Sequence, residues 1–157
     1  MNGLLIDNQE INYLYDLSLI FNELPHAELD KMWLISNYEC NKYPFKEIPS
    51  ESEYVWIDGN RLKELLNQEK VMFIWGVFSN FPKDTTEKEV VQFPIPIADG
   101  NRNLWDSELK NIHPLTDTEI IAWDSSLLLV KSNNIDVITQ LQKKIPSSID
   151  LKVYNSK

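Results

Sequence analysis

Cysteine occurs once in these 157 residues, histidine twice and glycine four times. The lone thiol, Cys40, excludes an internal disulfide framework and any zinc site assembled from several thiolates, and it suits a reducing compartment. A long apolar run is also missing: the longest, Val71 to Phe78, falls far short of the ~20 residues that a membrane-spanning helix needs. The opening MNGLLIDNQE carries no basic leader and meets acidic side chains after three consecutive large apolar ones, so a secretory signal is not expected. No N-x-[ST] glycosylation acceptor occurs either. A cytoplasmic protein is the expectation.

Basic residues are scarce too. Lys and Arg number 15 against 24 Asp and Glu, a formal net charge of -9 at pH 7. The imbalance is local, because residues 1–60 hold 11 acidic against 3 basic side chains while residues 61–157 hold 13 against 12. Phosphate neutralisation requires Lys and Arg, so neither nucleic acid nor an anionic membrane surface is expected as a partner, and a basic protein is favoured. What is present is ordinary for a folded chain: 43% hydrophobic, 25% charged, with a generous five tryptophans. A chain of this length fits one domain that buries roughly 70% of its unfolded surface.

Chemistry-bearing constellations are thin. Cys40 with His113 or His26 is the only thiol and imidazole pairing, and the acidic surroundings of Cys40 would raise its pKa rather than activate it. Neither histidine stands in a metal-ligand spacing. Asp99, Asn101 and Asn103 have the first three positions of a calcium loop, but Leu104 and Lys110 occupy the places that need Gly and a bidentate Glu. WIDGNRLKELL offers one glycine before a helix without the Gly-rich frame of a phosphate cradle. Asp124-Ser125-Ser126 lacks the G-x-S-x-G elbow of a hydrolase and reads as a turn. No catalytic residue, metal or cofactor is expected.

Periodicity supplies the elements. Ile11, Leu14, Leu17, Ser18 and Phe21 predict a helix from Gln9 to Leu24, closed by Pro25. Met32 to Cys40 and Tyr54 to Ile57 read as strands, separated by a loop with Pro44 and Pro49, and Leu62, Leu65 and Leu66 mark a helix after Gly59. SNFPKDTTEKE reads as a turn and charged loop. VVQFPIPI, with two prolines that cannot donate ladder bonds, reads as an edge strand or extended segment and offers a route to a homo-oligomer. A short helix is expected over Leu104 to Ile112, a hairpin over Glu119 to Lys131, a helix from Asn134 to Lys144 capped by Asn133, and a closing strand at LKVY. This order predicts an α+β class, a single domain with a mostly antiparallel β-sheet and about three helices packed on it.

VMFIWGVFSNF, residues 71–81, places Val71, Phe73, Trp75 and Val77 on one side of a strand and Met72, Ile74, Gly76 and Phe78 on the other. Two apolar faces predict a central strand covered on both sides, with Phe78 and Phe81 as its exposed end. Gly76 inside it marks a bulge or a close backbone approach. An aromatic pocket formed by Trp56, Trp75, Phe78 and Trp105 is the alternative use of these residues, in a small ligand-binding or enzymatic domain.

From Glu119 onward, EIIAWDSSLLLVKS and VITQLQKKIPSSIDLKVYN resemble the closing portion of small bacterial proteins similar to the immunity proteins of polymorphic toxins, with Trp123-Asp124-Ser125-Ser126 as the most particular element. That resemblance covers the last quarter of the chain. It implies a small, acidic, non-enzymatic protein that binds and blocks a basic toxin. The partner-binding residues expected on this reading are Glu28, Asp30, Glu39, Glu47, Glu51 and Glu53, with Tyr38 and Tyr43 as aromatic anchors.

Overall fold

The computed structural model describes residues 1–7, 16–105 and 108–157. Its seven strands are β1 (Asn2–Asp7), β2 (Met32–Cys40), β3 (Tyr54–Asp58), β4 (Phe73–Asn80), β5 (Thr118–Trp123), β6 (Leu127–Ser132) and β7 (Ile149–Asp150). They form one sheet in the order β3-β2-β4-β5-β6-β1-β7, and every pairing is antiparallel. The helices are α1 (Ser18–Phe21), α2 (His26–Leu29), α3 (Gly59–Gln68), α4 (Glu87–Val90), α5 (Ile135–Lys144) and α6 (Leu151–Asn155), with a 3-10 turn at Arg102–Trp105. The α+β class and antiparallel sheet agree with the sequence; the expected three helices undercount the six found among the described residues.

Alternation along the strands builds two cores. Leu4, Ile6, Ile120, Ala122, Leu128 and Val130 point to one face, where Leu62, Leu65 and Leu66 of α3 and Val137, Ile138 and Leu141 of α5 cover them. Leu5, Ile121 and Leu129 point to the other, onto Leu104 and Leu151. β4 is the middle strand between β2 and β5, and both its sides are covered, as its two apolar faces predict. The expected exposed end is a correction: Phe78 and Phe81 are fully buried, Phe78 beneath Phe21 and Phe73, and Phe81 against Trp56 and His113.

Other departures have local causes. LKVY is not a strand. Asp150 accepts hydrogen bonds from the backbone N–H groups of Lys152 and Val153, which caps α6, and Leu151 drops into the second core. In the charged loop before VVQF, Thr86 and Glu89 form a capping box that nucleates α4. The expected edge strand or extended segment over VVQFPIPI is a correction: Val90 ends α4, the backbone turns through Val91, Gln92 and Phe93, and the segment joins no strand among the described residues. Asn134 rather than Asn133 caps α5. The expected helix over 104–112 is replaced by the 3-10 turn, and positions 106–107 of that expectation lie outside the described residues. Of the helix expected over 9–24, residues 9–15 lie outside the described residues, and of the rest only α1, Ser18–Phe21, is helical, flanked by turns, with Leu17, Ile20 and Phe21 buried.

Candidate functional site

The site begins with an irregularity in the β2–β4 ladder. Ser36 pairs with Val77, Glu39 with Trp75 and Cys40 with Phe73, so β2 gains one residue and β4 then regains it. Asn37 absorbs the first bulge with φ 47°, in the left-handed region that asparagine tolerates. Its side-chain carbonyl accepts the backbone N–H groups of Ala98 and Asp99, pinning the following segment to the bulge. Strict alternation, which would put Phe73 and Trp75 on one side, therefore fails. Phe73 turns into the helix-covered core, where its ring meets Phe78 at 4.9 Å, and Trp75 stays on the opposite face. Gly76 lies beneath that contact, since a Cβ there would stand 3.4 Å from Phe78 and 3.5 Å from Phe73.

Trp75 opens a ladder of rings. Its centroid lies 5.0 Å from Trp123, Trp123 lies 5.4 Å from Trp105, and Trp105 lies 5.7 Å from Tyr154. Both tryptophan pairs are edge-to-face, the arrangement that the ring quadrupole favours. β4, β5, the 3-10 turn and α6 supply one ring each. The hairpin turn fixes the centre: Asp124 and Ser125 both take positive φ, and the Ser125 N–H donates to the Ile74 carbonyl, which ties the end of β5 to β4 beside Trp75.

All three tryptophans are only partly buried, Tyr154 is 40% exposed and the adjacent Val153 53%. Trp33 gives its indole N–H to the Glu28 carbonyl, whereas those of Trp75, Trp105 and Trp123 meet no acceptor among the described residues. Indole N–H is a donor only, so these edges are open to a partner's carbonyls or carboxylates. Exposed Glu39 is the cross-strand partner of Trp75, and exposed Asp124 follows Trp123. Arg102 and Lys152 belong to the elements carrying Trp105 and Tyr154.

The expected pocket residues are thus brought together in part. Trp75 and Trp105 meet through Trp123, which composition alone did not single out for a pocket. Phe78 faces the other core, and Trp56 packs on Phe81 at 5.7 Å in a separate cluster with Tyr54, Leu115 and Val90. A cavity of about 350 Å³ does lie beside the 3-10 turn, but Asn101, Asn103, Leu104, Asn111 and Lys131 wall it rather than any ladder ring. At its floor the buried Lys131 ammonium donates to the Lys110 carbonyl and lies 4.0 Å from Glu119. Burial pushes the Glu119 carboxyl up, opposed by Lys131 and by the backbone N–H groups of Ile112 and His113.

The expected contact residues scatter. Glu28 is a correction: it is 1% exposed and fully engaged inside the protein. Glu47 is tied to Arg61 and Asp30 to Asn60. The Tyr38 hydroxyl donates to the Pro49 carbonyl, and the Tyr43 hydroxyl accepts the Cys40 N–H, so both phenols hold the loop that buries Phe45 and Ile48. Glu39, Glu51 and Glu53 are exposed and form no salt bridge among the described residues. Only Glu39 adjoins the ladder.

The thiol and both faces of His113 are committed to structure. Burial, and after it Glu39, pushes the Cys40 thiol up to about 12, which keeps it protonated at neutral pH. His113 is fully buried between Phe81 and Phe93; its Nδ1 accepts the Leu115 N–H and its Nε2 faces the Val90 carbonyl at 2.8 Å. Burial holds its pKa below the ordinary 6.5. A depressed histidine pKa means that the fold favours the neutral ring. Its stabilising contribution is complete above pH 6.5 and is lost as the pH falls through the folded value. Urea midpoints should therefore drop from pH 7 to about pH 5, and His113→Gln should flatten that slope; an unchanged slope would contradict the neutral clamp.

No protein-family model matches the chain, and neither the curated proteins nor the solved structures contain a match.

Proposed function

We propose that this chain is a non-enzymatic acidic binding protein that engages a basic protein partner through the aromatic ladder. The observation that carries the reading is the convergence of three partly buried tryptophans, from three separate segments, onto one open face with the Glu39 carboxylate at one end and Asp124 beside the middle ring. Trp, Tyr and Arg dominate the affinity of protein interfaces, and packing such rings half-exposed costs hydration that a partner's surface would recover. Complementary charge speeds encounter and orients the partner. The net charge of -9 supports a basic partner. In its finer form the protein is an immunity protein that neutralises a basic toxin. What supports this form is that Trp123-Asp124-Ser125-Ser126, the element behind the resemblance, lies at the centre of the ladder.

The reading is tested by affinity capture from a lysate of the source organism at low and high salt, with the wild type beside a Glu39→Lys/Asp124→Lys variant. The expected result is a stoichiometric basic protein on the wild type, weakened by salt and lost from the variant. Trp123→Ala should then weaken the purified complex by at least about thirtyfold, a 2 kcal/mol hot spot. Retention that is indifferent to both changes, or no specific protein at all, would overturn the reading. The solution mass of the isolated chain distinguishes self-association through VVQFPIPI from hetero-association.

A further inference from the structure

We infer that the acidic end of the ladder is a receptor for an arginine side chain, its guanidinium stacked on Trp75 and paired with Glu39. This rests on the binding reading above and names the chemistry of its partner. Glu39 and Trp75 are directly opposed across β2 and β4, so their side chains rise from the same face of the sheet with Cβ atoms roughly 5 Å apart. That spacing matches a planar cation lying on the indole with its N–H groups turned to the carboxylate. The bulge at Asn37 is what creates the juxtaposition: in an unbroken β2 the residue on this face after Ser36 would be Tyr38, and the extra residue sends Tyr38 into the helix-covered core and Glu39 outward.

Arginine fits better than lysine. Its fork pairs two N–H groups with one carboxylate while its flat, weakly hydrated face stacks on an aromatic ring, whereas an ammonium keeps its water and offers a point charge. Glu39 makes no salt bridge among the described residues, so its carboxylate is not already satisfied by a lysine of this chain. The second carboxylate, Asp124, stands beside the next ring, which allows a neighbouring cation of the same partner to follow.

The test is tryptophan-fluorescence titration of the full chain with the peptides GRGRGRG and GKGKGKG at physiological salt. The arginine peptide should bind about tenfold more tightly. Glu39→Gln and Trp75→Phe should each remove most of that preference, and Glu53→Gln should not. Trp75→Phe keeps an aromatic ring in the core contact, and Glu39 is exposed, so both variants should keep the wild-type circular dichroism. Equal binding of the two peptides, or the same loss from Glu53→Gln, would show bulk charge attraction and overturn the inference. A captured basic protein whose binding survives Glu39→Gln and Trp75→Phe would overturn the arginine receptor while leaving the binding reading in place. An arginine preference that depends on Glu39 and Trp75, without any captured protein, would uphold the receptor and remove the protein partner.

Discussion

Glu28→Ala should destabilise the protein by about 3–5 kcal/mol, the range for removing one member of a buried, hydrogen-bonded charge network. One carboxylate oxygen of Glu28 accepts from the Asn134 amide at 2.9 Å and from the Lys31 ammonium at 3.2 Å; the other accepts from the Asn80 amide at 2.6 Å and the Thr118 hydroxyl at 3.0 Å. These partners belong to four places in the fold: the residue before β2, the end of β4, the start of β5 and the cap of α5. Thr118 goes on to share a hydrogen bond with Ser132 of β6, and the Asn80 side-chain oxygen Oδ1 accepts the Thr118 N–H. Alanine would take this acceptor from the Asn80 and Asn134 amides and the Thr118 hydroxyl, which is the costly half of such a network, while Lys31 keeps Asp117 at 3.0 Å. Glu28→Gln should cost less but still register, because its amide turns a donor toward donors. Asp30→Ala, two residues away and exposed, should change stability by no more than about 0.5 kcal/mol.

The same group fixes a pH signature. Burial raises the Glu28 carboxyl, but the hydrogen bonds from Asn134 and Asn80 and the Lys31 charge together hold it below its ordinary 4.5. A carboxylate with a lowered folded pKa contributes stability that is present above 4.5 and lost as the pH falls through the folded value. Denaturant midpoints measured across this acid range should fall for the wild type and flatten in Glu28→Gln. Equal acid slopes would remove Glu28 from its place at the hub.

Gly59→Ala should cost about 3 kcal/mol, the upper part of the range for overpacking. Gly59 opens α3, where alanine is intrinsically the better helix former by about 1 kcal/mol. The local surroundings reverse that preference. An added Cβ would stand 2.3 Å from the Leu29 carbonyl oxygen, 2.7 Å from Trp33 Nε1 and 2.8 Å from Trp33 Cδ1. Neither neighbour can move cheaply, since Leu29 ends α2 and the Trp33 indole donates to the Glu28 carbonyl. Gln68→Ala on the exposed end of the same helix should lie within about 0.5 kcal/mol of the wild type. A Gly59→Ala protein as stable as wild type would mean that α2 and α3 are not packed this closely.

What the sequence told of this fold depended on the range over which each signal acts. β2, β3, the hairpin and α3 were legible because alternation, turn residues and helical spacing are local. α4 was equally legible in its Thr86 and Glu89 box but was hidden inside a charged stretch. The faces of β4 were not, because every residue from Val71 to Phe78 is apolar or glycine and nothing in the pattern announces the paired bulges. Glu28 looked like one more surface acid in HAELD, since its four partners lie from 3 to 106 residues away and only the strand order brings them together. Trp75 and Trp105 were singled out but matched with Phe78 and Trp56. Trp123, 48 residues beyond Trp75, completes the ladder only because β4 and β5 are neighbours.

The most direct measurement on the central claim is ¹⁹F NMR of the protein labelled with 5-fluorotryptophan, with each of the five resonances assigned by single substitution. Added to the basic protein retained in the capture experiment, the Trp75, Trp105 and Trp123 signals should shift or broaden, while those of Trp33, sealed in the core, and Trp56, packed on Phe81, stay in place. A complex that forms with the three ladder signals unmoved, or with Trp56 alone responding, would contradict the ladder as the binding face.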